Sequence, residues 1–66
     1  MKIVLNGEPR EIPEGLSVSG LLAHLGLPTD RVAIERNLEI LPRADWDKTR
    51  VLPDDRYEIV HFVGGG

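Results

Sequence analysis

The strongest constraint on the fold of this chain is a single amphipathic stripe in its first half. Between Ser17 and Gly26, apolar residues recur with the i, i+3, i+4, i+7 spacing of one helix face. They are Val18, Leu21, Leu22 and Leu25. Ser17 can cap the first turn, and Gly26 can end the helix in a left-handed conformation. A chain of 66 residues has room for one small core, so this helix must pack on whatever the rest of the chain forms.

The rest of the chain reads as short strands. Segments rich in β-branched and aromatic residues predict strands at 2–5, 31–36, 39–41 and 57–63, and the chain is expected to return from the first of them as an antiparallel strand at 8–12. Asn6-Gly7 suits a tight hairpin turn, whereas Leu38 suits a two-residue turn poorly. Pro9 lacks a backbone donor and places the second strand at a sheet edge. With a short helical turn before Trp46, the order is β, β, α, β, β, turn, β, which indicates an α+β fold with four to five strands packed on one main helix.

Alternation along the first and last strands sorts their side chains onto two faces. Ile3, Leu5, Tyr57 and Ile59 are expected to face the helix, and Val4, Val60 and Phe62 to lie on the opposite face. The second set predicts an exposed apolar patch, which we interpret as a docking surface for a partner protein. The alternative is that the segment around Trp46, or a second copy of the chain, covers the same face.

The sequence ends in Gly64, Gly65 and Gly66. We therefore divide the chain into a domain at 1–63 and a flexible tail at 64–66. Glycines have no side chain to pack, and three extended residues reach roughly 10 Å, far enough to carry the Gly66 carboxylate into the cleft of another protein. Gly64 and Gly65 would give the tail access to a narrow cleft. The alternative is an inert, frayed terminus.

Composition excludes several classes of function. So small a chain has no space for a large internal active site, so we do not expect catalysis by this chain alone. The absence of cysteine excludes thiolate metal sites and a cysteine nucleophile, and the two histidines lie on different predicted elements, so no metal site is expected. A net charge of −3 argues against nucleic acid and anionic membranes as partners. No apolar run approaches a signal peptide or a membrane span, which favours the cytoplasm.

Residues spread over almost the whole chain resemble the ThiS family, the sulfur carriers of thiamine biosynthesis. They are Asn6-Gly7, the Leu21-Leu22 helix ending at Leu25-Gly26, Pro42-Arg43, and the final run from Asp55 to Gly66. Gly20 and Leu38 depart from the family pattern, in which an acidic residue in the helix and a glycine in the turn are usual. The terminal Gly65-Gly66 is shared with all ubiquitin-like modifiers.

The resemblance implies a ubiquitin-like β-grasp fold, with the first and last strands as parallel neighbours in a mixed sheet. It also implies the chemistry. An adenylyltransferase related to ubiquitin-activating enzymes uses ATP and magnesium to adenylate the Gly66 carboxylate. Sulfur from a persulfide, such as that of a cysteine desulfurase, converts it to a thiocarboxylate, which thiazole synthase consumes. The chain itself would bind no cofactor.

Three other functions remain open from the sequence. The same thiocarboxylate could supply molybdopterin or another sulfur-containing metabolite. A ubiquitin-like modifier would instead join Gly66 to lysines of target proteins, and a pure binding module would have an inert tail.

Overall fold

The computed structural model describes residues 1–62. In chain order the elements are β1 (Lys2–Leu5), β2 (Glu8–Glu11), α1 (Val18–Leu25), β3 (Val32–Arg36), β4 (Glu39–Ile40), a 3-10 turn (Arg43–Asp45) and β5 (Arg56–His61). The five strands form one sheet in the order β2-β1-β5-β3-β4. β1 and β5 are parallel and the other pairs are antiparallel. The expected order of elements and the β-grasp arrangement are confirmed, and Pro9 lies on an edge strand as predicted.

The helix begins and ends at the residues that the sequence indicates. The Ser17 hydroxyl accepts a hydrogen bond from the Gly20 N–H at 3.0 Å, and Gly26 closes the helix with a φ of 70°. The stripe of α1 packs on one face of the sheet, because Val18, Leu21 and Leu22 are fully buried. The predicted inward set is buried with them, at Ile3, Leu5, Tyr57 and Ile59.

Trp46 also belongs to this core. The residue is 4% exposed, and its indole N–H donates to the Leu41 carbonyl at 3.0 Å. Since Trp46 is held in the core, and Val60 and Phe62 remain 58% and 51% exposed, the segment around Trp46 does not cover the opposite face of the sheet.

Both hairpins close with two-residue turns whose central residues have positive φ. In the first turn Asn6 and Gly7 have φ of 49° and 81°, and in the second Asn37 and Leu38 have φ of 51° and 72°. Positive φ at both central positions is the type I′ geometry, which matches the twist of the flanking strands. Leu38 therefore adopts a conformation that is unfavourable for a residue with a Cβ, and its side chain is 81% exposed.

Replacing Leu38 with glycine is expected to raise the free energy of unfolding by about 1 kcal/mol. Glycine removes the left-handed strain, and this gain outweighs the greater backbone entropy of glycine in the unfolded chain. In a domain of this size, Tm should rise by about 4 to 8 °C in a thermal melt. Leu38→Ala is the control, since it removes most of the side chain but keeps the Cβ. Equal stabilities for the glycine and alanine variants would show that φ strain at residue 38 is not significant.

Candidate functional site

The face of the sheet turned away from α1, called here the open face, carries most of the exposed apolar side chains. On β5 the exposed residue is Val60, with Phe62 just beyond the end of the strand. Val4 of β1 lies on the same face but is half-buried, so it is less exposed than predicted. Sequence reasoning missed Ile40 on β4 and Leu38 in the adjoining turn, which are 78% and 81% exposed. The register places Ile40 on this face. Ile40 pairs with Glu35, which lies on the same side of β3 as Ala33, and Ala33 pairs with Val60.

The three residues predicted to dock a partner share this face but are not all neighbours. Val4 is level with Arg56 in the β1–β5 register, four residues before Val60. At the rise of a strand this separates them by roughly 13 Å along the sheet. Between them on β5 lies Glu58, directly opposite Glu35 of β3. The face is thus apolar at both ends with two carboxylates in the middle, and the docking role of Val4, Val60 and Phe62 stays a prediction.

The strand that leads to the tail is fixed along its length. The pairing of β1 with β5 ends at Leu5, but the Asn6 side chain continues it by accepting from the Ile59 N–H at 2.8 Å. At the far end, the Phe62 N–H donates to the Arg31 carbonyl at 2.9 Å. The domain therefore holds the chain in place up to Phe62. The predicted tail residues Gly64, Gly65 and Gly66 lie outside the described part of the chain.

A buried carboxylate, that of Asp55, organises the other end of β5. Asp55 is 6% exposed. Its Oδ2 accepts from the Tyr57 hydroxyl at 2.9 Å, the Leu52 N–H at 3.0 Å and the Arg36 Nε at 3.1 Å. Its Oδ1 accepts from Asn37 Nδ2 at 3.2 Å. Asp55 therefore ties the β3–β4 turn, where Leu38 lies, to the start of the tail-bearing strand.

These contacts shift two pKa values. Burial alone raises the pKa of Asp55, but the hydrogen bonds from Leu52, Asn37 and Tyr57, with the Arg36 charge, outweigh burial and hold the pKa below its ordinary value. Burial, and next its hydrogen bond to Asp55, raise the pKa of Tyr57 to about 12. At neutral pH the network therefore holds an ionised Asp55 and a neutral Tyr57.

The raised pKa of Tyr57 predicts a loss of stability in alkali. An unfolded tyrosine ionises near pH 10, so the stabilising contribution is complete below pH 10 and is lost as pH rises towards 12. The free energy of unfolding should fall by about 2 to 3 kcal/mol across that range, measured by urea denaturation. Tyr57 is the only tyrosine, so tyrosinate absorbance reports its ionisation directly. Titration of the folded protein near pH 10 would contradict the prediction, and Tyr57→Phe should lack this part of the alkaline loss.

Residues 1–62 contain no cluster of three or more His, Asp or Glu side chains placed to hold a metal ion. His24 and His61 are both exposed, on α1 and β5. Within the same range, no helix has the length and apolar character needed to cross a membrane.

Comparison with known proteins assigns the family. The ThiS family model matches residues 3–66. The crystal structure of the thiamine biosynthesis protein ThiS from Geobacter metallireducens superposes with a TM-score of 0.85 at 36% identity, covering all of both chains. Sulfur carrier protein ThiS of Bacillus subtilis is 40% identical over 50 residues, which is 76% of each chain.

Longer proteins contain a similar segment. A thiazole synthase of Paramagnetospirillum magneticum is 46% identical over all 66 residues, and one of Magnetococcus marinus is 44% identical. The chain spans only 20% of the length of each of these two relatives. Because the family model covers the chain from β1 to Gly66, and a ThiS structure shares its whole fold, the chain belongs to the ThiS family.

Proposed function

We propose that the chain is a sulfur carrier for the thiazole moiety of thiamine, acting in the cytoplasm as a protein cosubstrate and not as an enzyme. The observation that carries this proposal is the family match, which extends through the final glycine. The structure supplies the support that such a role needs, since hydrogen bonds hold β5 in place up to Phe62. Gly66 supplies the reacting carboxylate, and Gly65 and Gly64 let the end enter a narrow cleft.

The chemistry follows from the weakness of a carboxylate as an electrophile, since it is anionic and resonance-stabilised. A carboxylate oxygen of Gly66 attacks the α-phosphorus of ATP, held with magnesium by an adenylating partner, and pyrophosphate leaves. The terminal sulfur of a persulfide, such as that of a cysteine desulfurase, then displaces AMP and forms an acyl disulfide. A thiol cleaves this disulfide and leaves the thiocarboxylate on Gly66. Thiazole synthase is the proposed acceptor.

Mass spectrometry of the C-terminal peptide tests the proposal. The protein is incubated with the adenylating enzyme, ATP, magnesium, a sulfur donor and a thiol, and an excess of a thiol-alkylating reagent is then added. The chain has no cysteine, so an alkylated peptide ending in Gly66 identifies the thiocarboxylate. The signal should require ATP and should disappear when thiazole synthase and its small-molecule substrates are supplied.

Other outcomes favour other functions. Adenylation without sulfur uptake, together with conjugates of higher mass in a lysate, would favour a protein modifier. A thiocarboxylate that thiazole synthase does not consume would point to another acceptor, and no reaction at Gly66 would indicate an inert tail. Loss of the gene should cause a requirement for thiazole.

Phe62→Ala tests whether the open face contributes to docking of the adenylating enzyme. Phe62 is 51% exposed and lies two residues before Gly64, so its loss should weaken binding about fivefold or more while changing Tm by only a few degrees. Leu52→Ala is a matched control, because Leu52 is 49% exposed but precedes the opposite end of β5. A loss of stability with unchanged affinity would place Phe62 in a structural role instead.

A further inference from the structure

Two cavities lie side by side on the open face and share a wall. One, of about 120 Å³, lies between Val4 and Leu38. The other, of about 150 Å³, is bounded by Ile40 and Val60. Both are lined by Glu35 and Glu58, so these two residues stand between the cavities. Each cavity therefore combines apolar walls with the same two acidic side chains.

The placement of these acidic residues is unfavourable for the isolated domain. Glu35 and Glu58 are directly opposite in the β3–β5 register, where like charges destabilise an antiparallel pair. Within residues 1–62 neither carboxylate forms an ion pair, although Arg56 lines the first cavity. Leu38, beside the same cavity, has a positive φ and is 81% exposed. Its side chain contributes to the apolar wall of this cavity.

We propose that the adenylating enzyme, which receives the Gly66 tail, docks on the open face. It places a basic side chain, arginine or lysine, between Glu35 and Glu58, and its apolar side chains contact the two cavities on either side. The inference rests on the proposed function, since it assumes that a partner protein takes the tail. The aliphatic stem of a basic residue packs on apolar walls such as Ile40 and Val60 while its charged end meets the carboxylates. Binding would thus relieve the repulsion between the two glutamates.

The charge of the face argues against a second copy of this chain as the occupant. The whole chain has a net charge of −3. A symmetric contact uses the same surface on both subunits, so two open faces packed about an axis through their centre would bring the Glu35 and Glu58 pairs against each other. Like charges across an interface disfavour a partner, whereas a basic side chain complements this surface.

Glu58→Gln and Glu35→Gln separate this role from a structural one. Each removes one negative charge with little change of shape, so Tm should rise by about 2 to 5 °C as the cross-strand repulsion is lost. The probe is the cognate adenylating enzyme, assayed by ATP–pyrophosphate exchange as a function of carrier concentration. The KM for the carrier should rise about tenfold in each variant, with a weaker dependence on salt than in the wild type.

Glu14→Gln is the control, because it changes the net charge by the same amount in an exposed turn outside the open face. It should leave the KM nearly unchanged. One contrary result is that the wild-type carrier supports ATP–pyrophosphate exchange while Glu58→Gln and Glu14→Gln give equal KM values. That result would overturn this inference and leave the proposed function standing. No exchange by the wild type would overturn both. A dimer in sedimentation that Glu58→Gln strengthens would assign the face to a second copy and overturn the inference alone.

Discussion

Replacing Asp55 with alanine is expected to lower the free energy of unfolding by about 3 kcal/mol and Tm by more than about 10 °C. The substitution removes four hydrogen bonds at once, from Leu52, Arg36, Asn37 and Tyr57. The Tyr57 hydroxyl is buried, so part of the loss comes from polar groups that remain without a partner. Chemical denaturation of the purified variant measures the effect.

Two further variants identify the cause. Asp54→Asn changes an exposed neighbour with a φ of 66°, a conformation that asparagine tolerates, so stability should change by less than about 0.5 kcal/mol. Asp55→Asn keeps the shape of the side chain but removes its charge, and we expect an intermediate loss. A loss below about 1 kcal/mol for Asp55→Ala would show that water replaces the missing oxygens and that Asp55 does not organise this end of β5.

Gly65→Ala is expected to slow adenylation at least about tenfold without unfolding the domain. The added methyl group lies where we propose that the tail enters a narrow cleft, and a tenfold loss corresponds to about 1.4 kcal/mol in the barrier. The initial rate of ATP–pyrophosphate exchange measures the effect, and Tm should match that of the wild type. Deleting Gly66 should reduce the amount of alkylated thiocarboxylate on the C-terminal peptide to the background level.

A second glycine provides the matched control for the added methyl group. A Cβ at Gly20 would lie 3.4 Å from its nearest neighbours, Leu16 and Ser17, which is ordinary van der Waals contact. Gly20→Ala should therefore fold normally and leave exchange unchanged. Equal exchange rates for Gly65→Ala and Gly20→Ala would count against a narrow cleft and would place recognition of the carrier on the domain surface alone.

Patterns within a few residues predicted most of the architecture. The stripe from Val18 to Leu25 and the Asn6-Gly7 turn depend on local spacing and on intrinsic backbone preference, which a sequence displays directly. The parallel pairing of β1 with β5 came from family resemblance, because those strands are separated by most of the chain. The sequence indicated that Leu38 is unsuited to a two-residue turn. The structure shows that the turn forms nevertheless, with Leu38 in the unfavourable positive-φ conformation.

The features missed depend on which strands become neighbours. The buried role of Asp55 was not predicted, because nothing local shows that Arg36 and Tyr57 will surround it. The opposition of Glu35 and Glu58, and the contribution of Ile40 to the open face, are visible only once the register of β3 with β4 and β5 is known. The alternation of β1 and β5 alone identified Val4, Val60 and Phe62, which are apolar, but not the charged centre of the face.

The central position of β5 links folding to the presentation of the tail. β5 lies between β1 and β3 and joins two hairpins that do not otherwise pair, β1–β2 and β3–β4. During synthesis these hairpins leave the ribosome before β5, so the sheet cannot close until the strand that carries the glycines has emerged. A chain broken before Arg56 lacks both the strand that closes the sheet and the tail. We therefore expect few folded domains that lack the strand leading to the glycines.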